Sequence, residues 1–373
     1  MSFRLMASSF EDAVSPYLKG LPSYRHGRPF AEGGRGPVRG DWVKLDYNEN
    51  PLGPSPLAVK AIQDLLHGIN RYPDCQGQSL KGRLAERLGL SPAHIALGNG
   101  SSELIDLCAR CFLSPGTEAI MGDPAFAFYG RVVHAAGSQR VSVPLHAFCH
   151  DLKAMTERIT PRTRMVFIGN PNNPTGSCVP PHDITAFVEA LPAGIIILID
   201  EAYREYLPDE LQPGTVRYVK EGRPVIALRS FSKIYGLSGL RIGYAIAPPE
   251  CIALLDKARQ PFNVNLLAGA AALAALDDDT HLAGSKRLNE AGKQYLYQAF
   301  EALGLRYVPT AANFILVDVE QDGEQVVRAL AEKRVAVCPL TRYGLPTSLR
   351  ITIGAPRDNE RFIALLREVL STR

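Results

Sequence analysis

The sequence predicts an α/β protein, in which a large domain with a mostly parallel sheet precedes a smaller α+β domain. From about Asp46, short apolar runs alternate with segments that have helical periodicity. The apolar runs are almost uninterrupted, which is typical of strands that are buried on both faces of a parallel sheet. Strands that alternate with helices form βαβ units, and such units build parallel sheets.

In the large domain, the patterns are clear enough to predict four strands and four helices. The strands are predicted at 165–169, 195–200, 224–230 and 241–247. The helices are predicted at 56–67, 79–88, 102–113 and 182–191.

The last third of the chain mixes helices and strands in a different order. Helices are predicted at 266–276, 280–303, 324–333 and 357–370, and strands at 313–319, 335–338 and 349–353. The predicted division is therefore an N-terminal arm at 1–45, a large domain at 46–250 and a small C-terminal domain at 251–373. Within the arm, segment 20–40 is rich in Gly and Arg, and we expect it to be irregular.

Composition excludes several classes of protein. Of the 373 residues, 46% are hydrophobic and 21% are charged, which is ordinary for a globular protein and excludes disorder as the main state. The net charge of +3 is too small to indicate nucleic acid or a membrane surface as a partner. Seven Cys without regular spacing indicate reduced thiols, and no apolar run is long enough to span a bilayer. We therefore expect a soluble, cytoplasmic protein.

Cys108 and Cys111 form the one CxxC pair that stands out. Both lie in an apolar run that is predicted to be helical, and Cys is often buried in such positions. This favours packing over redox chemistry, and the lack of a second CxxC gives no support to a zinc site. No metal is expected.

A lysine follows the predicted strand 224–230 almost at once, in the segment Ser230-Phe231-Ser232-Lys233. A lysine that is fixed at a strand end can have a lowered pKa, and its neutral amine can then form a Schiff base. The two hydroxyl groups and the nearby Arg241 would suit an aldehyde that carries a phosphate group. Taken alone, this segment is a weak signal.

Asn99-Gly100-Ser101-Ser102-Glu103 leads into the predicted helix 102–113. A helix start presents free N–H groups and a positive dipole end, which attract an anion. A capping box would explain the same residues. Both interpretations remain open from the sequence.

Two further strand ends carry polar side chains. Asn173 lies in Asn170-Pro171-Asn172-Asn173-Pro174-Thr175-Gly176, directly after the predicted strand 165–169. Asp200 ends the apolar strand 195–199, and Tyr203 follows it. Ligands of α/β sheets bind at the carboxyl ends of the strands. A buried carboxylate needs a partner, and a protonated pyridine nitrogen would supply one; a capping role for Asp200 explains it equally well.

Together these motifs occur in the order found in the fold-type I aminotransferases, which use pyridoxal 5′-phosphate (PLP). Four further segments, LDYNENPLGP at 45–54, RYPD at 71–74, FSKIYGL at 231–237 and LRITIG at 349–354, resemble the histidinol-phosphate aminotransferase branch. The resemblance runs from about Val14 to the C-terminus. It implies a PLP-dependent aminotransferase of fold type I.

The resemblance also implies roles for individual residues. Lys233 would form the Schiff base with PLP and then move the α-proton of the substrate, while Asp200 would pair with the ring nitrogen. Tyr203 and Asn173 would hydrogen-bond the ring oxygen, and Phe126 would stack on the ring. The phosphate would be held by a set of polar and glycine positions, which are Gly100, Ser101, Ser102, Ser230, Ser232 and Arg241.

Substrate and partner are implied in the same way. Arg350 would bind the carboxylate of the substrate or of 2-oxoglutarate, with Asn48 beside it. Tyr17 would lie near the substrate side chain. Tyr72 would reach the phosphate from a second subunit, which implies a homodimer.

The sequence departs from this branch where the branch carries an arginine for the phosphate of its substrate. That position holds Cys338, and Arg342 follows four residues later. The loss of such a contact disfavours a phosphorylated substrate by about 1.5–3 kcal/mol. The identity of the amino donor therefore stays open between histidinol phosphate and a non-phosphorylated amino acid. The reaction type also stays open, because a decarboxylase or lyase could use the same site.

Two other classes fit less well. A nicotinamide-dependent oxidoreductase should carry G-x-G-x-x-G, but Gly98-Asn99-Gly100 is not followed by the third Gly. A PLP-binding sensor fused to a DNA-binding module would need a basic stripe and a helix-turn-helix, for which the chain has no room.

Overall fold

A computed structural model describes residues 10–23 and 42–371 of the chain. Most of the Gly/Arg-rich segment predicted at 20–40 lies outside the described residues. The described residues form two sheets and the helices that cover them.

A seven-stranded sheet forms the centre of the large domain, with the order β2-β8-β7-β6-β5-β3-β4. All neighbouring strands are parallel except β8, which is antiparallel to both β2 and β7. The strands are β2 Ile95–Gly98, β3 Glu118–Asp123, β4 Gln139–Pro144, β5 Thr163–Gly169, β6 Ile196–Asp200, β7 Val225–Ser230 and β8 Gly243–Ile246. This confirms the predicted α/β architecture with a mostly parallel sheet.

A five-stranded sheet forms the smaller domain, with the order β1-β11-β12-β10-β9. The outer pair β1 and β11 is parallel, and the other neighbours are antiparallel. The strands are β1 Val43–Leu45, β9 Arg306–Val308, β10 Phe314–Asp318, β11 Val335–Pro339 and β12 Ser348–Thr352.

Apart from α1, whose Phe10 is exposed, the helices of the described residues have apolar faces that cover the two sheets. They are α1 Phe10–Ala13, α2 Pro56–Leu65, α3 Gln78–Leu88, α4 Ser101–Phe112, α5 Ala127–Ala135, α6 Leu152–Glu157, α7 Pro181–Ala190, α8 Thr215–Lys220, α9 Pro249–Ala258, α10 Leu266–Ala275, α11 Asp279–Ala302, α12 Gly323–Glu332 and α13 Pro356–Ser371. One layer on the large sheet contains α4 and α5, and the opposite layer contains α7. Every predicted helix is present to within two residues at each end.

The predicted division at residues 45 and 250 needs correction. Strand β1 pairs with β11, so residues 43–45 belong to the smaller sheet rather than to an arm. Helix α9 packs on α4, and α10 packs with α2 and α3 beside β2 and β8, so both belong to the large domain. The physical reason is that their apolar faces are buried against the large sheet, which sequence order alone does not show.

Strands β2, β3 and β4 were not predicted. Edge strand β4 is largely exposed, and β2 is only four residues long, so neither has a long apolar run. Strand β8 starts at Gly243 rather than at the predicted residue 241, because Arg241 has a left-handed backbone with φ 57°.

Within the described residues, no helix is both long and apolar enough to cross a membrane, and no group of side chains is suited to a metal ion. All seven cysteines are free thiols. Cys108 is fully buried in the core formed by α4 and its neighbours, as the packing interpretation expects.

Candidate active site

Lys233 lies just beyond the carboxyl end of β7, between the two domains. Its Nζ donates to the carbonyl of Tyr47, 3.1 Å away, and lies 5.6 Å from the ring centroid of Tyr203. Desolvation lowers the pKa of Lys233 to about 7, and the nearby guanidinium groups of Arg350 and Arg241 act in the same direction. A substantial fraction of this amine is therefore neutral near pH 7, as a nucleophilic lysine requires.

An anion site lies beside Lys233, at the N-terminus of α4. Arg241 Nη1 donates to the hydroxyl of Ser232 at 3.1 Å, and its guanidinium lies so close to Gly100 that a Cβ there would overlap it. Helix α4 begins at Ser101 with Gly100 as its N-cap and has no side-chain cap, so its first N–H groups remain available. Glu103 accepts from the backbone N–H of Asn99 at 2.6 Å, which is the acidic half of a capping box, so each interpretation is met in part. Ser230 accepts from the backbone N–H of Ser232 at 3.0 Å and holds the turn.

Asp200 ends β6 and is buried at the same edge of the sheet. Burial raises the pKa of Asp200 to about 6, although its Oδ1 accepts from the N–H of Ala202 and its Oδ2 from the hydroxyl of Tyr129. The contact with Ala202 is the kind that the capping interpretation predicts, so capping explains part of the role of Asp200. The carboxylate still lies close enough to Lys233 for the two charges to interact.

Hydrogen bonds join the small domain to the loops of the large sheet. Arg350, on β12, donates through Nη1 to Asn173 Oδ1 and through Nη2 to the carbonyl of Asp46, both at 2.7 Å. Asn48 Nδ2 donates to the Tyr203 hydroxyl at 2.9 Å. Arg350 is buried, and its Nε has no hydrogen-bond partner within the described residues. A buried guanidinium with an unused donor is suited to a carboxylate ligand.

Cys338 lies opposite Arg350 in the antiparallel pair β11 and β12, so both side chains lie on the same face of the small sheet. Arg342 is exposed on the short helix Thr341–Tyr343, and its guanidinium carbon lies 5.2 Å from the Tyr343 ring centroid. The strand register thus places residue 338 beside Arg350.

Three predicted residues lie at the edge of this arrangement or away from it. Phe126 precedes α5, and its ring meets Tyr129 edge-on at 5.5 Å. Tyr72 is 81% exposed and stacks on Phe262 at 4.5 Å. Tyr17 is packed near Gly137 and Pro115, at the amino ends of β4 and β3.

Within this chain, Tyr17 lies away from Lys233, so its place near the substrate stays a prediction from the resemblance. In parallel strands, the amino ends lie at the edge of the sheet opposite the carboxyl ends, where Lys233 and Asp200 lie. Within this chain, the segment is held there by Arg131, which donates to the carbonyl of Pro22 at 2.7 Å.

The remaining residues fit PLP well. Arg241 and the start of α4 would hold its phosphate, Asp200 its ring nitrogen, Tyr203 and Asn173 its ring oxygen, and Lys233 its aldehyde. Arg350, whose guanidinium also acts on the Lys233 amine, would provide a second anion site. Two anion sites around one partly neutral lysine suit a reaction in which a phosphorylated cofactor and a carboxylate meet.

Comparison with known sequences decides the family. Residues 40–366 match the family described as aminotransferase class I and II. The chain belongs to this family.

Relatives of this aminotransferase include histidinol-phosphate aminotransferase of Moorella thermoacetica, which is 47% identical over 352 residues and covers 94% of this chain and 91% of its own. Histidinol-phosphate aminotransferase 1 of Nitrosococcus oceani is 44% identical over 97% of this chain and 98% of its own. Among solved structures, histidinol-phosphate aminotransferase of Sinorhizobium meliloti in complex with PLP has a TM-score of 0.80, 29% identity, and covers 88% of this chain and 90% of its own.

These comparisons confirm the predicted PLP-dependent aminotransferase of fold type I. The enzyme acts on an amino-group donor and a 2-oxo acid. Sequence reasoning missed Tyr129, which contacts Asp200, and the carbonyl groups of Asp46 and Tyr47, which contact Arg350 and Lys233. Tyr129 follows Phe126 by three residues in the same segment, but nothing in its local pattern marks it.

Proposed function

We propose that this aminotransferase exchanges an amino group between histidinol phosphate and 2-oxoglutarate. The observation that carries the reaction is the pair of candidate anion sites, at Arg241 and Arg350, whose guanidinium groups both act on the Lys233 amine. The choice of donor is supported by relatives that are 42–47% identical over almost the whole chain and have this name.

When bound, PLP supplies an electron sink for the electrons of the substrate's Cα–H bond. The residues of this chain do the rest. Arg241, Ser232 and the N–H groups of α4 would hold the phosphate, and Asp200 would pair with the ring nitrogen. Lys233 would accept the Cα proton at its Nζ and hold it for the second half of the proton transfer, which a partly neutral amine on a flexible side chain can do.

Arg350 would bind the carboxylate of glutamate or 2-oxoglutarate. Its Nη1 and Nη2 are already held by Asn173 and by the Asp46 carbonyl, so the guanidinium is preorganised and loses little freedom when the carboxylate binds. Asn48 would act through Tyr203, to which it donates, rather than through the carboxylate alone. These contacts connect the small domain to the reacting centre.

A non-phosphorylated amino donor is the second candidate, and the Cys338–Arg350 register favours it. A thiol beside Arg350 offers no positive charge to a substrate phosphate. Arg342 would be the remaining cation for such a phosphate, from its exposed position beside Tyr343.

A panel of amino donors separates these candidates. The enzyme would be given 2-oxoglutarate or pyruvate with histidinol phosphate, histidinol, histidine or aromatic amino acids, and glutamate or alanine formation measured. A preference for histidinol phosphate of tenfold or more in kcat/KM supports the first proposal. Preference for a non-phosphorylated donor supports the second, and release of CO₂ without transfer would indicate a decarboxylase instead.

A homodimer completes the proposed site. Tyr72 is exposed and stacked on the half-exposed ring of Phe262, at a surface where a second subunit would receive it. We expect Tyr72→Phe to weaken PLP binding in a protein that sediments as a dimer. Mixed dimers of Tyr72→Phe and Lys233→Ala would regain one intact site if Tyr72 acts across the interface.

A location in the cytoplasm is part of the proposal, because seven free thiols suit a reducing compartment.

A further inference from the structure

Tyr129, on α5, contacts the buried carboxylate of Asp200. Its hydroxyl donates to Asp200 Oδ2 at 2.8 Å, and both residues are buried. The other carboxylate oxygen, Oδ1, accepts from the backbone N–H of Ala202 at 3.1 Å. Each oxygen of Asp200 thus has one protein donor.

Packing holds Tyr129 in one orientation. Its ring stacks on Phe167 with centroids 5.1 Å apart, and it meets the ring of Phe126 edge-on at 5.5 Å. Phe126 is the residue proposed to stack on the cofactor. One buried side chain therefore contacts two residues that are proposed to touch the same ring.

The charges around Asp200 show why this hydroxyl matters. Burial disfavours the carboxylate, and the facing charged or titratable groups are Tyr129, Glu201, Tyr203 and Lys233. Glu201 also disfavours ionisation, while Lys233 and the Tyr129 hydrogen bond favour it. A hydrogen bond that is donated to a carboxylate stabilises its charged form and makes it a weaker base.

We propose that Tyr129 is a positioning residue, whose hydroxyl keeps Asp200 ionised and aimed at the ring nitrogen of the cofactor. The inference rests on the proposed binding of PLP at Lys233. Without the hydroxyl, Asp200 becomes more basic and draws the proton away from the ring nitrogen. The ring would then be a weaker electron sink. The imine nitrogen that joins Lys233 to PLP would therefore keep its proton up to a higher pH.

The test compares Tyr129→Phe with Tyr218→Phe. Tyr218, on α8, is also buried, and its hydroxyl lies 2.7 Å from Thr185 Oγ1 on α7. The control variant therefore also loses a buried phenol contact, but one that does not involve Asp200. Both variants would be loaded with PLP, and the visible band titrated with pH. We expect the midpoint of Tyr129→Phe to rise by about half a pH unit or more, and its PLP affinity to fall about tenfold. Tyr218→Phe should match the wild type in both.

A double-mutant cycle keeps the test specific. In an Asp200→Asn background, which removes the negative charge, adding Tyr129→Phe should no longer move the midpoint. If Tyr129→Phe alone keeps the wild-type midpoint and PLP affinity, or moves them as far in the Asp200→Asn background, the proposal is overturned. Absence of a visible band in the wild type, or its persistence in Lys233→Ala, would instead overturn the proposed PLP site itself.

Discussion

Cys338 and Arg350 lie opposite each other on β11 and β12, and their side chains occupy the same face of the small sheet. In an antiparallel pair, the Cβ atoms of such residues are about 4.5–5.5 Å apart. A side chain at 338 therefore reaches the same ligand as Arg350. Phe314, on the neighbouring strand β10, lies under the Arg350 guanidinium at 5.5 Å and limits how far it can move.

Cys338→Arg should raise kcat/KM for histidinol phosphate relative to histidinol. A charge-assisted hydrogen bond contributes about 1.5–3 kcal/mol, which corresponds to roughly ten- to hundredfold in affinity. Steady-state kinetics with the two donors measure the ratio. Cys338→Gln is the control, because it adds length without charge. An unchanged ratio in Cys338→Arg would contradict the placement of the donor's phosphate beside residue 338.

Arg350→Ala should raise the KM for 2-oxoglutarate and for glutamate by roughly ten- to hundredfold, because the carboxylate loses its charged partner. The visible band of the PLP-loaded enzyme should remain, since the phosphate of PLP is expected at Arg241 and the start of α4 rather than at Arg350. Spectra and initial rates test both statements. Loss of the band would show that Arg350 holds the cofactor rather than the substrate.

The rate at which the apoprotein takes up PLP should depend on pH with a midpoint near 7. Desolvation lowers the pKa of Lys233 to about 7, and only the neutral amine attacks an aldehyde. The rate should therefore increase as the pH rises through 7 and level off above pH 8. Stopped-flow absorbance follows this reaction. A rate that continues to climb towards pH 10 would mean that Lys233 has the pKa of an exposed lysine.

Gly100→Ala should weaken PLP binding by about tenfold or more, because the new Cβ would displace the Arg241 guanidinium. Gly100 also has φ 78°, so the substitution should cost about 1–3 kcal/mol of unfolding free energy. Gly116→Ala is the matched control, since Gly116 has φ 87° and no heavy atom within 4 Å of the new Cβ.

Titration of each apoprotein with PLP, together with thermal unfolding, separates the two effects of Gly100→Ala. Both alanine variants should lose stability, but only Gly100→Ala should lose PLP affinity. Equal PLP affinity in the two variants would refute the proposed phosphate site.

The cofactor side of the site could be predicted because its residues follow strand ends. Asp200 is the last residue of β6, and Asn173 and Lys233 follow the ends of β5 and β7 within four residues. Parallel neighbouring strands bring these carboxyl ends together. Local apolar runs were therefore enough to place these three side chains at one edge. Arg241 and Gly100 follow from the same pattern, because β8 returns antiparallel and starts at that edge.

The substrate side depended on long-range pairing, which the local pattern does not contain. The backbone N–H of Asn48 donates to the hydroxyl of Thr352, although the two residues are 304 positions apart. Tyr17 was assigned by its motif, yet this chain packs it at the opposite edge of the large sheet. The contact between Tyr129 and Asp200 depends on the packing of α5 over β5, which brings the Tyr129 hydroxyl to the carboxylate.

The amino-acid sequence by itself determined the parallel sheet, the lysine and carboxylate at its edge, and the aminotransferase class. The tertiary structure alone decided that β1 joins the small sheet, that Cys338 faces Arg350, and that Tyr129 supports Asp200. The physical reason is the range of the interactions involved. Periodicity and turn residues act over a few positions, whereas strand register and buried hydrogen bonds join residues far apart in the chain.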